Sequence, residues 1–171
     1  PPKRVTIDGV DYGERATVTS IVVQEGVTNI EEETFEYCRS LRTAFLPQAL
    51  ITIQNCAFWC CFALESLIIP PSVTSIGIQT FGYCYSLKSI KLPPNVTAIG
   101  IQAFCGCHSL KSIKLPPSVT IGYYAFHDCV ALKSINISPS VIIEHDAFNG
   151  CTALASLAGC DKYDSDSIEQ Y

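Results

Sequence analysis

Methionine is absent from all 171 residues, an initiator included. That predicts a processed product or a part of something longer. Charge is sparse as well, at 16% of residues against 48% apolar. This balance excludes a disordered chain and leaves ample material for a core. No uninterrupted apolar run approaches the roughly 18–20 residues that cross a bilayer, so no transmembrane segment is expected. No secretory signal is recognisable, which means little in a chain without an initiator. A glycine-rich phosphate loop, carboxylates paired on a rigid scaffold and a His-x-x-x-His pair are all missing. Nothing therefore points to an enzyme, a cofactor, a metal or a nucleic-acid partner.

What is present is repetition. The stretch Leu87 to Ser109, LKSIKLPPNVTAIGIQAFCGCHS, matches itself when the chain is slid by 23 residues. Earlier copies are Leu64 to Ser86, Leu41 to Ala63 and Val18 to Ser40. Later ones, Leu110 to Ala131 and Leu132 to Ala153, are 22 residues long, and a seventh stops after Leu157. A period in the twenties marks a solenoid, whose units bury their apolar faces only against one another. The length is one domain's worth.

Within the reference copy the recurring apolar positions are Leu87, Ile90, Leu92, Val96, Ile99, Phe104 and Cys107. Ile90 and Leu92 alternate with Ser89 and Lys91, which predicts a short strand with one face inward. Pro93-Pro94 ends it, because proline cannot donate to a ladder and restricts the residue before it. Val96 to Ile99 predicts a second extended rung. The ending Ile101 to Cys107 suits a single helical or 3₁₀ turn, too short to be a helix by itself. Stacked at about 4.8 Å per rung, Phe35, Phe58, Phe81, Phe104, Phe126 and Phe148 should form one buried aromatic spine. Val5 to Tyr12 reads as a hairpin turning at Asp8-Gly9. Residues 1–17 are thus expected to cap the first repeat and 18–157 to be the repeats. Residues 158–171, acidic through Asp161, Asp164, Asp166 and Glu169, should be a cap or a tail.

The pattern L-x-x-I-x-L-P-x-x-V-T-x-I-x-x-x-A-F-x-x-C, carried through residues 18–157, resembles the BspA-like, or Treponema pallidum type, leucine-rich repeat. Prolines after the strand and a late cysteine separate it from the commoner leucine-rich repeat, which puts Asn or Cys soon after the strand. Ala44 departs from it by replacing the first strand isoleucine. The Leu110 and Leu132 copies each lose a residue before Ile121 and Ile143. The resemblance implies a β-rich leucine-rich-repeat solenoid of about six stacked repeats, short strands joined by short helical or 3₁₀ turns. It also implies surface adhesion and host-protein binding, at a cell surface or secreted. An organellar or intracellular complex subunit stays open. No binding residues transfer, since the shared positions are core positions.

Ten cysteines would ordinarily suggest a disulfide framework. Six of them, Cys38, Cys61, Cys84, Cys107, Cys129 and Cys151, fall at one point of the repeat and should be small buried hydrophobes with a weak thiol donor. Cys56, Cys60, Cys105 and Cys160 follow no pairing rule, so the redox compartment is not fixed. His127-Asp128-Cys129 holds the side chains of a cysteine nucleophile, but adjacent residues cannot aim at one point, and Cys129 is a core position. Cys105-Gly106-Cys107-His108 only faintly resembles a metal site, since Cys107 and Cys105 should point different ways. Asn95-Val96-Thr97 and Asn136-Ile137-Ser138 are glycosylation sequons, relevant only to a secreted chain.

The surface with a message is the outward side of the strands. One column runs Val22, Phe45, Ile68, Lys91, Lys114, Asn136; a second runs Thr19, Arg42, Glu65, Lys88, Lys111, Lys133. A partly apolar strip therefore gives way to a lysine strip. Val22, Phe45 and Ile68 suggest a contact surface. Arg42, Lys88, Lys91, Lys111, Lys114 and Lys133 suggest an acidic protein, glycan or lipid head group. The lysines would equally keep a β-rich solenoid soluble and unpaired. Charge is split along the chain: net −5 overall, yet Leu87 to Lys133 sets five lysines against Asp128 alone, a statement about partners rather than fold. Glu25, Glu31, Glu32, Glu33 and Glu36 in the first repeat read as a solvated end or a dock for another chain's lysines. The functional expectation is a non-catalytic protein-interaction module; the alternative is a scaffold or linker subunit of a larger assembly.

Overall fold

The computed structural model describes residues 4–7, 9–154 and 157–158. Cys160 and the acidic stretch 159–171 lie outside them. The chain opens with an antiparallel hairpin of β1 (Arg4–Ile7) and β2 (Val10–Glu14), with Gly9 in its turn at φ 78°. Ile7 of the hairpin is buried in the same core as the repeats.

Each repeat then contributes a three-residue strand, a bend and a two-residue strand, the bend carrying proline in every repeat but the first. In chain order these are β3 (Ser20–Val22) and β4 (Asn29–Ile30), β5 (Thr43–Phe45) and β6 (Thr52–Ile53), β7 (Ser66–Ile68) and β8 (Ser75–Ile76). The series continues with β9 (Ser89–Lys91) and β10 (Ala98–Ile99), β11 (Ser112–Lys114) and β12 (Thr120–Ile121), β13 (Ser134–Asn136) and β14 (Ile142–Ile143), and ends at β15 (Leu157–Ala158). All inter-repeat pairing is parallel and joins matching letters, as in Leu67 to Ile90, Ile113 to Ile135 and Ile99 to Ile121. The fold is the β-solenoid that the period predicts, and matching positions become neighbours across rungs.

Inside runs the phenylalanine spine. Phe35, Phe58, Phe81, Phe104 and Phe126 are fully buried, and successive rings from Phe35 to Phe148 lie 4.7 to 5.4 Å apart. From the second repeat on, the repeat cysteine donates its thiol to the phenylalanine carbonyl one repeat back. Cys61 reaches Phe35 O at 3.1 Å, Cys84 reaches Phe58 O at 3.3 Å and Cys107 reaches Phe81 O at 3.2 Å. Cys129 and Cys151 repeat the contact on Phe104 and Phe126. A small side chain with one weak donor satisfies the second lone pair of a buried carbonyl there. The nine described cysteines are free thiols.

The segment around each phenylalanine is not the helical or 3₁₀ turn that its spacing suggests; among the described residues there is no helix. A 3₁₀ turn would send every amide to its own i−3 carbonyl. Here alternate amides do so, and those between them donate to the next rung. Thr34, Glu36 and Cys38 bond locally to Glu31, Glu33 and Phe35, while Glu33, Phe35 and Tyr37 donate to Asn55, Ala57 and Trp59. Turning every second amide outward puts two residues per repeat at positive φ. They include Glu33 and Tyr37, Cys56 and Cys60, Gln79 and Tyr83, all near 56°. Rung-to-rung hydrogen bonds offset the strain of left-handed conformations on non-glycine residues. The rungs also approach closely at Gly100, where an added Cβ would stand 2.7 Å from the Gly77 carbonyl.

Candidate functional site

The three-residue strands have one inward and two outward residues, so the repeat itself fixes which side chains reach solvent. Val22, Arg42, Phe45, Ile68, Lys88, Lys91, Lys111, Lys114 and Lys133 are all exposed on this one face. Its apolar members are well out in water, Val22 64%, Phe45 61% and Ile68 68% exposed. Register places Val22 beside Phe45 and Ile68 beside Lys91, so the strip changes from apolar to cationic within a single strand pair.

The pairing lapses at one place inside the apolar strip. β3 pairs with β5 and β7 with β9, but β5 and β7 lie side by side in separate ladders, joined just before the strands by the Glu65 amide on the Arg42 carbonyl at 3.2 Å. There a cleft of about 270 Å³ opens, lined by Thr43, Ala44, Phe45, Leu46, Ser66 and Ile68 among others. Ala44 is the small member of an inward column otherwise filled by Ile21, Leu67, Ile90, Ile113 and Ile135. Leu46, the next inward residue, is only partly buried, unlike Val23 and Ile69 at its position.

Charge on the second column is partly cancelled. Glu65 accepts Lys88 Nζ at 2.8 Å and lies 3.4 Å from Arg42 Nη1. The lysine hydrogen bond and charge, helped by Arg42, hold its carboxyl below the usual carboxylate range. Like most exposed pairs these contribute little to stability, but one carboxylate engages two of the six cations and offsets one of their charges. Lys91, Lys111, Lys114 and Lys133 have no carboxylate partner among the described residues. Thr43 Oγ1 donates to Ser20 Oγ at 2.9 Å between the columns.

The other sequence candidates fall elsewhere. Cys129 points into the core, and its thiol, set against the free thiol of Cys151 and buried, is pushed far above an ordinary cysteine. His127 pairs instead with Asp128, Nε2 to Oδ2 at 3.3 Å. Cys105 is buried and faces Tyr83, away from Cys107 on the spine. Among the described residues no three His, Cys, Asp or Glu side chains converge as metal ligands would. The acidic cluster is not uniformly solvated. Glu25, Glu31, Glu32 and Glu33 are exposed, but Glu36 is buried next to Arg15, whose Nη1 donates to the Glu36 carbonyl at 2.7 Å. Asn95 and Asn136 are both exposed, Asn136 on the strand face beside Lys114.

One feature escapes sequence reasoning. At the edge between the turns and the strands, Arg39, Phe62, Tyr85 and His108 stack over four rungs; the guanidinium sits 5.3 Å from the Phe62 centroid, and the rings follow at 4.9 and 4.8 Å. The signal was available, since the four are spaced by 23, but their letters differ. Their faces are spent on one another, so the stack presents edges to solvent and serves mainly as packing.

Comparison with known proteins agrees with this geometry. The model for the BspA type leucine-rich repeat region (six copies) matches residues 11–120 and 80–170, a repeat region rather than a catalytic family. The crystal structure of the Treponema pallidum leucine-rich repeat protein is similar at 28% identity and TM-score 0.73, over 88% of this chain and 75% of that one. A leucine-rich repeat protein from Eubacterium ventriosum (24% identity, TM-score 0.70) is covered over 94% of this chain and 53% of that one. One from Bacteroides ovatus (24%, TM-score 0.54) is covered over 90% and 61%. These last two share the fold, and the chain spans less than two thirds of either. No curated protein matches the sequence.

Proposed function

The chain belongs to the BspA type leucine-rich repeat family, and from that premise we propose that it is a non-catalytic interaction module whose strand face is presented to a macromolecular partner, as in a surface adhesin. One observation carries this reading: an exposed apolar strip runs into unpaired lysines on a single regular face. Scattered surface hydrophobics need no explanation, but a contiguous row beside a cleft is the anatomy of an interface. A secreted or cell-surface setting fits this role. Exposed Glu25, Glu31, Glu32 and Glu33 in the first repeat, away from the lysines, favour one second reading, a linker subunit that docks by its acidic end.

The test is affinity capture from native material with the wild type and with Lys91→Glu/Lys114→Glu. The double variant should lose the captured partner without a change in melting temperature, and wild-type capture should weaken with salt, since charges beyond about 8 Å are screened at physiological ionic strength. Capture that ignores both the variant and the salt would refute the strand-face reading.

A further inference from the structure

The strand face combines a recess and a cation row whose spacing specifies what can lie on it. The recess opens where β5 and β7 do not pair, over Ala44, which stands where the other described repeats carry Ile or Leu. Its volume, about 270 Å³, falls below the roughly 300–1,000 Å³ of a small-molecule pocket. That suits one large apolar side chain entering from outside. Phe45 and Ile68 form its rim, with their apolar surface already in water. Buried anchors of this kind supply most of the energy of protein interfaces.

Beyond the recess the nearest cations differ in availability. Lys88 is taken by Glu65. Lys91, in register with Ile68, and Lys114 on the following strand have no carboxylate partner among the described residues. At about 4.8 Å per rung, Lys91 lies about 7 Å and Lys114 about 12 Å along the axis from the recess between the second and third rungs. An extended chain advances about 3.3 Å per residue, with alternate residues on one face. Residues two and four places from an anchor therefore fall about 7 and 13 Å away, over the two ammonium groups.

Building on the strand-face reading, we propose that the occupant is an extended acidic protein segment, an apolar residue seated at Ala44 with carboxylates two and four residues away on Lys91 and Lys114. A sulfated polysaccharide would use the lysines and leave the recess empty. A protein segment uses both, and the change from apolar to cationic along one column sets its direction.

The probe is a fluorescein-labelled nonapeptide with leucine followed by glutamates at the second and fourth positions after it, the rest serine and glycine. Anisotropy against the full chain should show saturable binding. Binding should weaken at least tenfold when the leucine becomes serine, or when the glutamates move to the first and third positions. The same loss is expected in Ala44→Ile, which restores the residue type of the column, and in Lys91→Glu/Lys114→Glu; melting curves confirm that both fold. Phe45→Ala should also weaken binding. Equal affinity for the serine-substituted peptide, or for Ala44→Ile, would overturn the anchor. If heparin binds in a way abolished by Lys91→Glu/Lys114→Glu while no peptide binds up to millimolar concentration, the protein-segment proposal falls and the strand face stands as an interface. If the strand-face variants change no binding at all, the broader reading falls with it.

Discussion

Raising the pH from 8 to 10 should unfold this protein, and the reason is the thiol ladder. Burial pushes Cys38 up to about 11 and holds Cys61, Cys84 and Cys107 well above the ordinary thiol range; Cys129, set against Cys151 and buried, moves the same way, while that contact lowers Cys151 at the end of the ladder. In the unfolded chain these thiols ionise near 8.5. A group whose folded pKa is raised contributes stability that is fully present below its unfolded pKa and is lost as pH rises through the folded value. Each of the five raised thiols therefore removes roughly 1 kcal/mol of stability per pH unit above about 8.5. Five acting together remove several kcal/mol per unit, against a total of about 5–15 kcal/mol for a typical domain. The assay is urea or thermal unfolding followed by circular dichroism at half-unit steps from pH 7.5 to 10, in a phosphine reductant to exclude disulfides. The midpoint should be flat below 8.5 and fall steeply above it, and Cys107→Ala should start less stable but decline less steeply. A midpoint that stays level from pH 8 to 10 would refute the claim that the ladder thiols are buried and protonated.

Truncating the spine at Phe104, whose ring lies between Phe81 and Phe126 at 5.4 and 5.2 Å, should cost about 3–5 kcal/mol, whereas Phe148→Ala, with a single described ring neighbour, should cost less; equal melting temperatures for Phe104→Ala and wild type would contradict the stacking. Glu33→Gly should stabilise by about 0.5–1 kcal/mol, because the relief of a non-glycine residue at φ 57° on an exposed surface outweighs the glycine's greater loss of chain entropy, and chemical denaturation reads the gain. In a Cys160→Ser background, Cys56 should be the first thiol modified by a disulfide reagent, since it is the half-exposed one of the nine described, while the ladder thiols react at the unfolding rate. Ala44→Ile should raise stability by about 1–2 kcal/mol, from about 0.8 kcal/mol per buried carbon less the side chain's lost rotamer entropy; a lower melting temperature would mean that the second rung has no room.

Much of the fold was legible because a solenoid turns sequence period into spatial contact. Phe81, Phe104 and Phe126 are 23 and 22 residues apart in sequence and a ring's stacking distance apart in space. The same arithmetic placed Ser89 and Lys91 outside and Ile90 inside without any structure. What spacing could not convey was the backbone of the turns. Intervals of three and four fit a helical turn and an alternating turn ladder equally well, because they report which side chains face inward and not where the amides point. Glycine would have disclosed a left-handed residue, yet Tyr37, Gln79 and Asp128 occupy such positions. Their strain is offset by bonds to the next rung, an interaction between copies that no single repeat contains. The burial of Glu36 is hidden from the spacing for a related reason: Arg15, its neighbour, belongs to the segment before the first repeat.

The strand face was legible in a different sense, by subtraction. Phenylalanine, cysteine, leucine and isoleucine recur because each buries against its own image above and below, so those columns cannot vary without opening a cavity next door. Outward positions of the three-residue strands carry no such obligation. They can differ from rung to rung at almost no cost to folding, and they do: Val22, Phe45 and Ile68 give way to Lys91 and Lys114 along one column. Ala44 is the informative exception, because it breaks an inward column directly beneath the most apolar part of the outer one. Two departures from the repeat, one inside and one outside, meet at the same cleft. A sequence selected for stacking alone would fill Ala44 and leave Phe45 polar; this one does neither, and that coincidence is the physical argument for recognition at the second and third rungs.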